Sequence, residues 1–137
     1  MKKIKNIVIL AGGDGDRLWP MSEKMLIPFL GKVFIKHIYE KVAHMGNQVF
    51  TVVNKNNKEK IEKELGNNVK TILQREEYEG MAGDILSCKN LVTCTTLILG
   101  NDYFDFSKID AMVEKDDDLV LFAKKVNEYF PGGYLKL

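Results

Sequence analysis

The chain has 137 residues, 45% of them apolar and 28% charged, with a formal net charge of +1. That length and apolar share suit one domain with a real core, so residues 1–137 are expected to form a single unit. The near-neutral charge makes no electrostatic case for nucleic acid, and no run of 18 apolar residues or cleavable leader points to a membrane.

Short apolar runs alternate with helical patterns along the sequence, which predicts an α/β fold with a mainly parallel sheet flanked by helices. A first strand is expected over Ile4–Leu10, followed by a loop rich in glycine. A helix over Phe34–Met45 would put Phe34, Ile38, Val42 and Met45 on one face, with Gly46 as its stop. Val49–Val53 reads as a second strand. Asn54 then suits a cap for a helix carrying Ile61 and Leu65 that ends at Gly66. A third strand over Val69–Gln74, a helix over Ala82–Asn90 and a fourth strand over Thr95–Leu99 follow. A helix over Lys108–Lys115, a solvated Asp116-Asp117-Asp118 turn and a strand over Leu119–Ala123 complete the reading.

The segment of greatest chemical interest is Leu10-Ala11-Gly12-Gly13-Asp14-Gly15-Asp16-Arg17-Leu18-Trp19-Pro20. Gly12, Gly13 and Gly15 let a backbone approach a ligand closely and take positive φ. Exposed N–H groups in such a turn form an anion-binding concavity, and Arg17 adds a planar donor for phosphate. The dinucleotide pattern G-x-G-x-x-G fails because Leu18 stands at the third glycine, and no Gly-Lys-Ser/Thr completes a Walker-type loop. In an open parallel sheet, ligands bind beyond the carboxyl ends of the strands. This loop follows the first strand, Gln74 ends the third and Asp102 follows the fourth, so all three are expected on one rim.

The longer string through Met21-Ser22 to Lys24-Met25-Leu26-Ile27-Pro28 and Gly31-Lys32 resembles the signature of the sugar-1-phosphate nucleotidyltransferases. Gly80-Met81-Ala82-Gly83-Asp84 resembles that family's G-T-A-G-A turn, and Leu97-Ile98-Leu99-Gly100-Asn101-Asp102 its strand ending in Gly-Asp. The Arg-Leu-Trp-Pro-Met-Ser form looks most like the mannose-1-phosphate guanylyltransferase branch. The resemblance implies a Rossmann-like, nucleotide-diphospho-sugar transferase fold, truncated on its C-terminal, sugar-binding side.

The activity so implied is nucleotidyl transfer from a nucleoside triphosphate to a sugar-1-phosphate, releasing pyrophosphate. Arg17 would hold and activate the triphosphate, and Lys24 would contact a phosphate as a mobile charge. Asp102 would be a Mg²⁺ ligand, since hard oxygen donors together with substrate phosphates suit that ion. Gln74 and Gly80 match positions that contact the base. Leu10, Ala11 and Gly12 would support base and ribose through the main chain.

Several residues depart from the family pattern. Asp16 stands where Thr or Ser is usual, Glu23 replaces the Pro before the lysine, Asn101 replaces a Gly, and Asp84 sits at the turn's second Ala. The loop between Pro20 and Lys24 is about three residues short by the same comparison. Pro131–Leu137 resembles the entrance to the sugar-binding half, so that half is expected to be missing or supplied by a partner chain or second copy. The alternative reading is a noncatalytic or degenerate nucleotide-binding module; a third is a structural subunit that completes a partner's sheet.

Other features have plainer readings. Cys88 and Cys94 are expected to be reduced thiols in a cytoplasmic protein. His37 and His44 lack a third ligand and read as ordinary helix residues. Trp19 suits either the mouth of the site or the core. The charges over Lys55–Lys63 read as a solvated helix face with local ion pairs.

Overall fold

The computed structural model describes residues 4–15, 18, 20–46, 48–78, 80–100, 105–109, 118–121, 123, 125, 127 and 128. The elements run β1 (Asn6–Ala11), β2 (Pro28–Phe29), β3 (Lys32–Val33), α1 (Phe34–Val42), β4 (Gln48–Val53), α2 (Lys58–Leu65), β5 (Lys70–Leu73), α3 (Gly80–Ser87) and β6 (Thr96–Leu99). Short 3₁₀ turns interrupt them at Lys24–Leu26, Gly66–Asn68, Lys89–Leu91 and Phe106–Lys108. Four strands form one parallel sheet in the order β5-β4-β1-β6. β1 is therefore central, with Ile9 facing Thr51 on one side and Leu99 on the other.

Alternation along the strands splits the core into two layers, because successive side chains point to opposite faces. Ile7, Ile9, Ala11, Val49, Val53, Leu97 and Leu99 pack under α1 and α2, against Ile35, Ile38, Val42, Ile61 and Leu65. On the other face Val8, Leu10, Phe50 and Val52 meet Cys88, with Ile72, Leu91 and Ile98 at the margin. Burial on both faces explains why the strands read as continuous apolar runs. Each fully buried Ile or Val contributes about 1.5–3 kcal/mol of transfer free energy.

The buried stripe of α1 is Ile35, Ile38 and Val42, not the expected Phe34, Ile38, Val42 and Met45. Phe34 and Met45 only fringe that core, and the helix closes at Val42 in a turn where Met45 N–H donates to Val42 O. Asn54 is not the residue at the start of α2; Asn57 is, and Asn54 instead serves the glycine loop. Gly66, at φ +71°, ends α2 as expected. α3 spans Gly80–Ser87 rather than Ala82–Asn90, whose last residues form the 3₁₀ turn.

Two differences are larger. Pro28–Val33 forms an antiparallel hairpin whose two turn residues, Leu30 and Gly31, both have positive φ (47° and 80°). His37 clips it to α1, its Nε2 lying 2.6 Å from Phe29 O and its ring edge-on to Phe29. His37 is thus structural, and among the described residues no group of three or more His, Cys, Asp or Glu could hold a metal ion. The expected strand over Leu119–Ala123 is absent among the described residues there, and Leu119 and Leu121 are exposed. An apolar run signals a preference for burial, whereas a strand requires a partner backbone that composition does not reveal. The expected helix over Lys108–Lys115 and the Asp116 and Asp117 turn lie almost wholly outside the described residues.

Candidate functional site

All four parallel strands end on the same rim, where β1 hands the chain to the glycine loop. There the last peptides of β1 are fixed by three side chains from two other segments. Asn57, 2% exposed, donates through Nδ2 to Ala11 O at 2.8 Å. Asn54 donates to Gly12 O at 3.0 Å and to Asp14 Oδ1 at 2.9 Å. Its own Oδ1 accepts from the N–H groups of Asn56 and Asn57 at 2.9 and 2.8 Å, an Asx-type turn that locks the asparagine in place. Gly12 N–H donates to Asp84 Oδ2 at 3.3 Å.

Gly12 is required for close approach rather than for its φ. A Cβ there would stand 2.1 Å from Asp84 Oδ1 and 2.8 Å from Gln74 Oε1. Gln74 is held by its N–H to Val53 O at 2.8 Å, continuing β5 beside β4. The structure therefore brings Leu10, Ala11, Gly12 and Gln74 to one point on the rim. Gly15 does need its positive φ of 73°, whereas Gly13 shows neither a positive φ nor a close neighbour.

Asp84 is the most unusual group here. It lies on α3 at 5% exposure, and its Oδ1 has no hydrogen-bond partner among the described residues. Burial pushes its carboxyl up to about 6, partly offset by the Gly12 N–H bond, which favours the charged form. The sequence flagged Asp84 only as a departure. Its contact with Gly12 depends on how α3 crosses β1, which no local pattern encodes. Asn54 and Asn57 were similarly missed as loop supports, although two asparagines three apart after a strand are a legible Asx-turn signal.

Lys24 opens the 3₁₀ turn Lys24–Leu26, and that turn is seated on the glycine loop. A Cβ on Gly15 would lie 3.1 Å from Lys24 N and 3.3 Å from Glu23 N, and Glu23 N–H donates to Asp14 O at 3.2 Å. Gly80 starts α3 at φ 67°, with open space where a Cβ would stand. Gly83 in the same turn packs on the Tyr78 carbonyl, 2.7 Å from where its Cβ would stand. Arg17, Asp102, Asp16, Trp19 and Asn101 lie outside the described residues. The charges of Lys55–Lys63 do more than pair locally. Lys58 meets Glu62 within α2 at 3.3 Å, but Lys55 reaches Glu76 and Lys60 reaches Glu23.

A parallel sheet of this order, with a glycine loop leaving its central strand, is the arrangement of nucleotide-binding α/β proteins. The solved inositol-1-phosphate CTP transferase from T. maritima has the same fold, with a TM-score of 0.60 at 17% identity over 74% of this chain and 45% of that one. The nucleotidyl transferase family model matches residues 6–127, and the chain belongs to that family. The bifunctional protein GlmU of Methanocaldococcus jannaschii is 34% identical over 99 residues, which is 69% of this chain and 24% of that protein. GlmU of Methanococcus maripaludis is 32% identical over 119 residues, 83% of this chain and 28% of the relative. The chain thus spans about a quarter of the length of these curated relatives. No described helix is long and apolar enough to cross a membrane.

Proposed function

We propose that this chain carries the nucleotide-binding and catalytic part of a sugar-1-phosphate nucleotidyltransferase. The reaction joins an oxygen of the sugar-1-phosphate to the α-phosphorus of a nucleoside triphosphate. The bond from that phosphorus to its bridging oxygen breaks, and pyrophosphate leaves. One observation carries the reading: the glycine loop leaves the central strand on a pinned backbone, with the Lys24 turn seated against it. Pre-organised donors matter because such chemistry proceeds mainly by positioning and charge stabilisation.

Arg17 and Lys24 are the proposed phosphate contacts, and Gln74 and Gly80 the proposed base contacts beside Leu10, Ala11, Gly12, Gly13 and Gly15. Mg²⁺ would be held by Asp102 together with substrate phosphates, and would neutralise phosphate charge. This donor set fits an ion that commonly uses only one or two carboxylates. The Arg17-Leu18-Trp19 form of the motif favours guanine and mannose as base and sugar, and a cytoplasmic setting suits free thiols at Cys88 and Cys94.

The test is pyrophosphate release from each nucleoside triphosphate with a panel of sugar-1-phosphates. Lys24→Ala and Arg17→Ala should each lower turnover by about 10²–10³-fold, and EDTA should abolish it. Unchanged turnover in both variants would remove these assignments. The second reading is a nucleotide-binding module without turnover. Saturable binding of one triphosphate with no pyrophosphate release would select it.

A further inference from the structure

Lys24 follows a residue in an uncommon backbone state. Glu23 is left-handed, at φ 65° and ψ 61°. A residue with a side chain is disfavoured there and stays only where its surroundings over-determine it. Three segments hold it here. Its N–H donates to Asp14 O in the glycine loop at 3.2 Å, and its carbonyl accepts from Leu26 N–H at 2.8 Å. Both carboxylate oxygens accept from Lys60 Nζ of α2, at 2.9 and 3.0 Å. The Glu23 side chain is only 19% exposed, against 61% for Lys60, so the carboxylate is drawn in while the lysine arches over it. The proline of the related motif could not serve at this position, because its ring fixes φ near −65°.

We propose that the Glu23–Lys60 ion pair is the positioning device for Lys24: α2 grips the left-handed residue, and so keeps the lysine's turn seated on Gly15. Glu23 and Lys60 are positioning residues, and the assignment rests on the reading of Lys24 as a phosphate contact. An isolated exposed ion pair contributes little to stability. This one acts on direction, since freeing Glu23 lets the turn relax to ordinary backbone and carries Lys24 with it.

Amide exchange of Glu23 and Leu26 tests the restraint without any substrate. Lys60→Met should speed exchange at both amides about tenfold, and Lys60→Arg should keep them near wild type; unchanged exchange in Lys60→Met overturns the proposal. Turnover tests the consequence. Lys60→Met should lower kcat about tenfold with nucleotide KM within about twofold, a loss that Lys60→Arg rescues. Glu23→Gly relieves the backbone strain, so it should keep or raise Tm while losing kcat to the same extent. A kcat that falls only in step with Tm would mean that the pair is merely structural. If Lys24→Ala abolishes turnover and Lys60→Met does not alter it, this proposal alone fails. If Lys24→Ala leaves turnover intact, the reading of Lys24 fails, and the exchange data still decide whether the pair orders the turn.

Discussion

Asp84 binds its proton more tightly in the folded chain than in the unfolded one, because burial raises it from 3.8 to about 6. The stability tied to this group is therefore fully present below about pH 4 and is lost as pH rises towards 6; above that the loss is constant. At 1.36 kcal/mol per unit the loss comes to about 3 kcal/mol. Asp84→Asn keeps an acceptor for Gly12 N–H without the charge. It should be more stable than wild type at pH 7 by up to about 3 kcal/mol, and equal to it near pH 4. Urea titrations at pH 4, 5, 6 and 7 would show this, and parallel profiles for the two proteins would contradict it. Gly12→Ala makes the opposite test of the same contact. Its Cβ would collide with Asp84 Oδ1 and Gln74 Oε1, so it should cost about 1–3 kcal/mol. Adding Asp84→Ala should recover part of that loss, and strict additivity of the two changes would show that the groups do not touch.

Among the elements, β4 and the β2–β3 hairpin each carry one residue at odds with its setting. Thr51 is fully buried on β4, and its hydroxyl has no partner among the described residues. Thr51→Val keeps the shape and removes the orphaned group, so it should stabilise by about 1 kcal/mol in denaturant unfolding; a loss of stability would reveal a bond to that hydroxyl. Leu30 takes φ 47° at the exposed tip of the hairpin, where a turn with two positive-φ residues favours Asn-Gly. Leu30→Asn should gain about 0.5–1 kcal/mol by the same measurement. These elements also mark the boundary of what the sequence disclosed. Runs such as Ile7–Leu10 and Val49–Val53 were legible because burial on both faces leaves an unbroken apolar string. The hairpin was not, since two-residue strands are too short to show any period. The links of Lys55 to Glu76 and Lys60 to Glu23 escaped because they join residues distant in sequence.

For the molecule as a whole, alternation of strand and helix was enough to foresee a parallel sheet and the rim at its strand ends. The glycine loop at the end of β1 and Gln74 at the end of β5 do fall on that rim, while the roles of Asp84 and Asn54 required knowing which segments cross there. Nucleotide binding should be visible as global stabilisation. A triphosphate at about a hundred times its dissociation constant adds about 2.7 kcal/mol, which thermal unfolding with and without Mg²⁺ would register. A set of triphosphates that leaves Tm unmoved would count against a nucleotide site in the isolated chain.

The central position of β1 also sets the order in which the sheet can be built. Asn6 pairs with Gln48 on one side but with Thr96 on the other, so among the described strands of this sheet β1 is made first and gains its second neighbour last. Closing so long a stretch of chain carries its entropic cost before the final ladder returns anything, which makes slow refolding the expected behaviour. On the ribosome, one edge of β1 has no neighbour from this sheet until residues 96–99 have been made. During that interval the nascent chain exposes an apolar strand, a form open to capture by chaperones or by other unfinished chains.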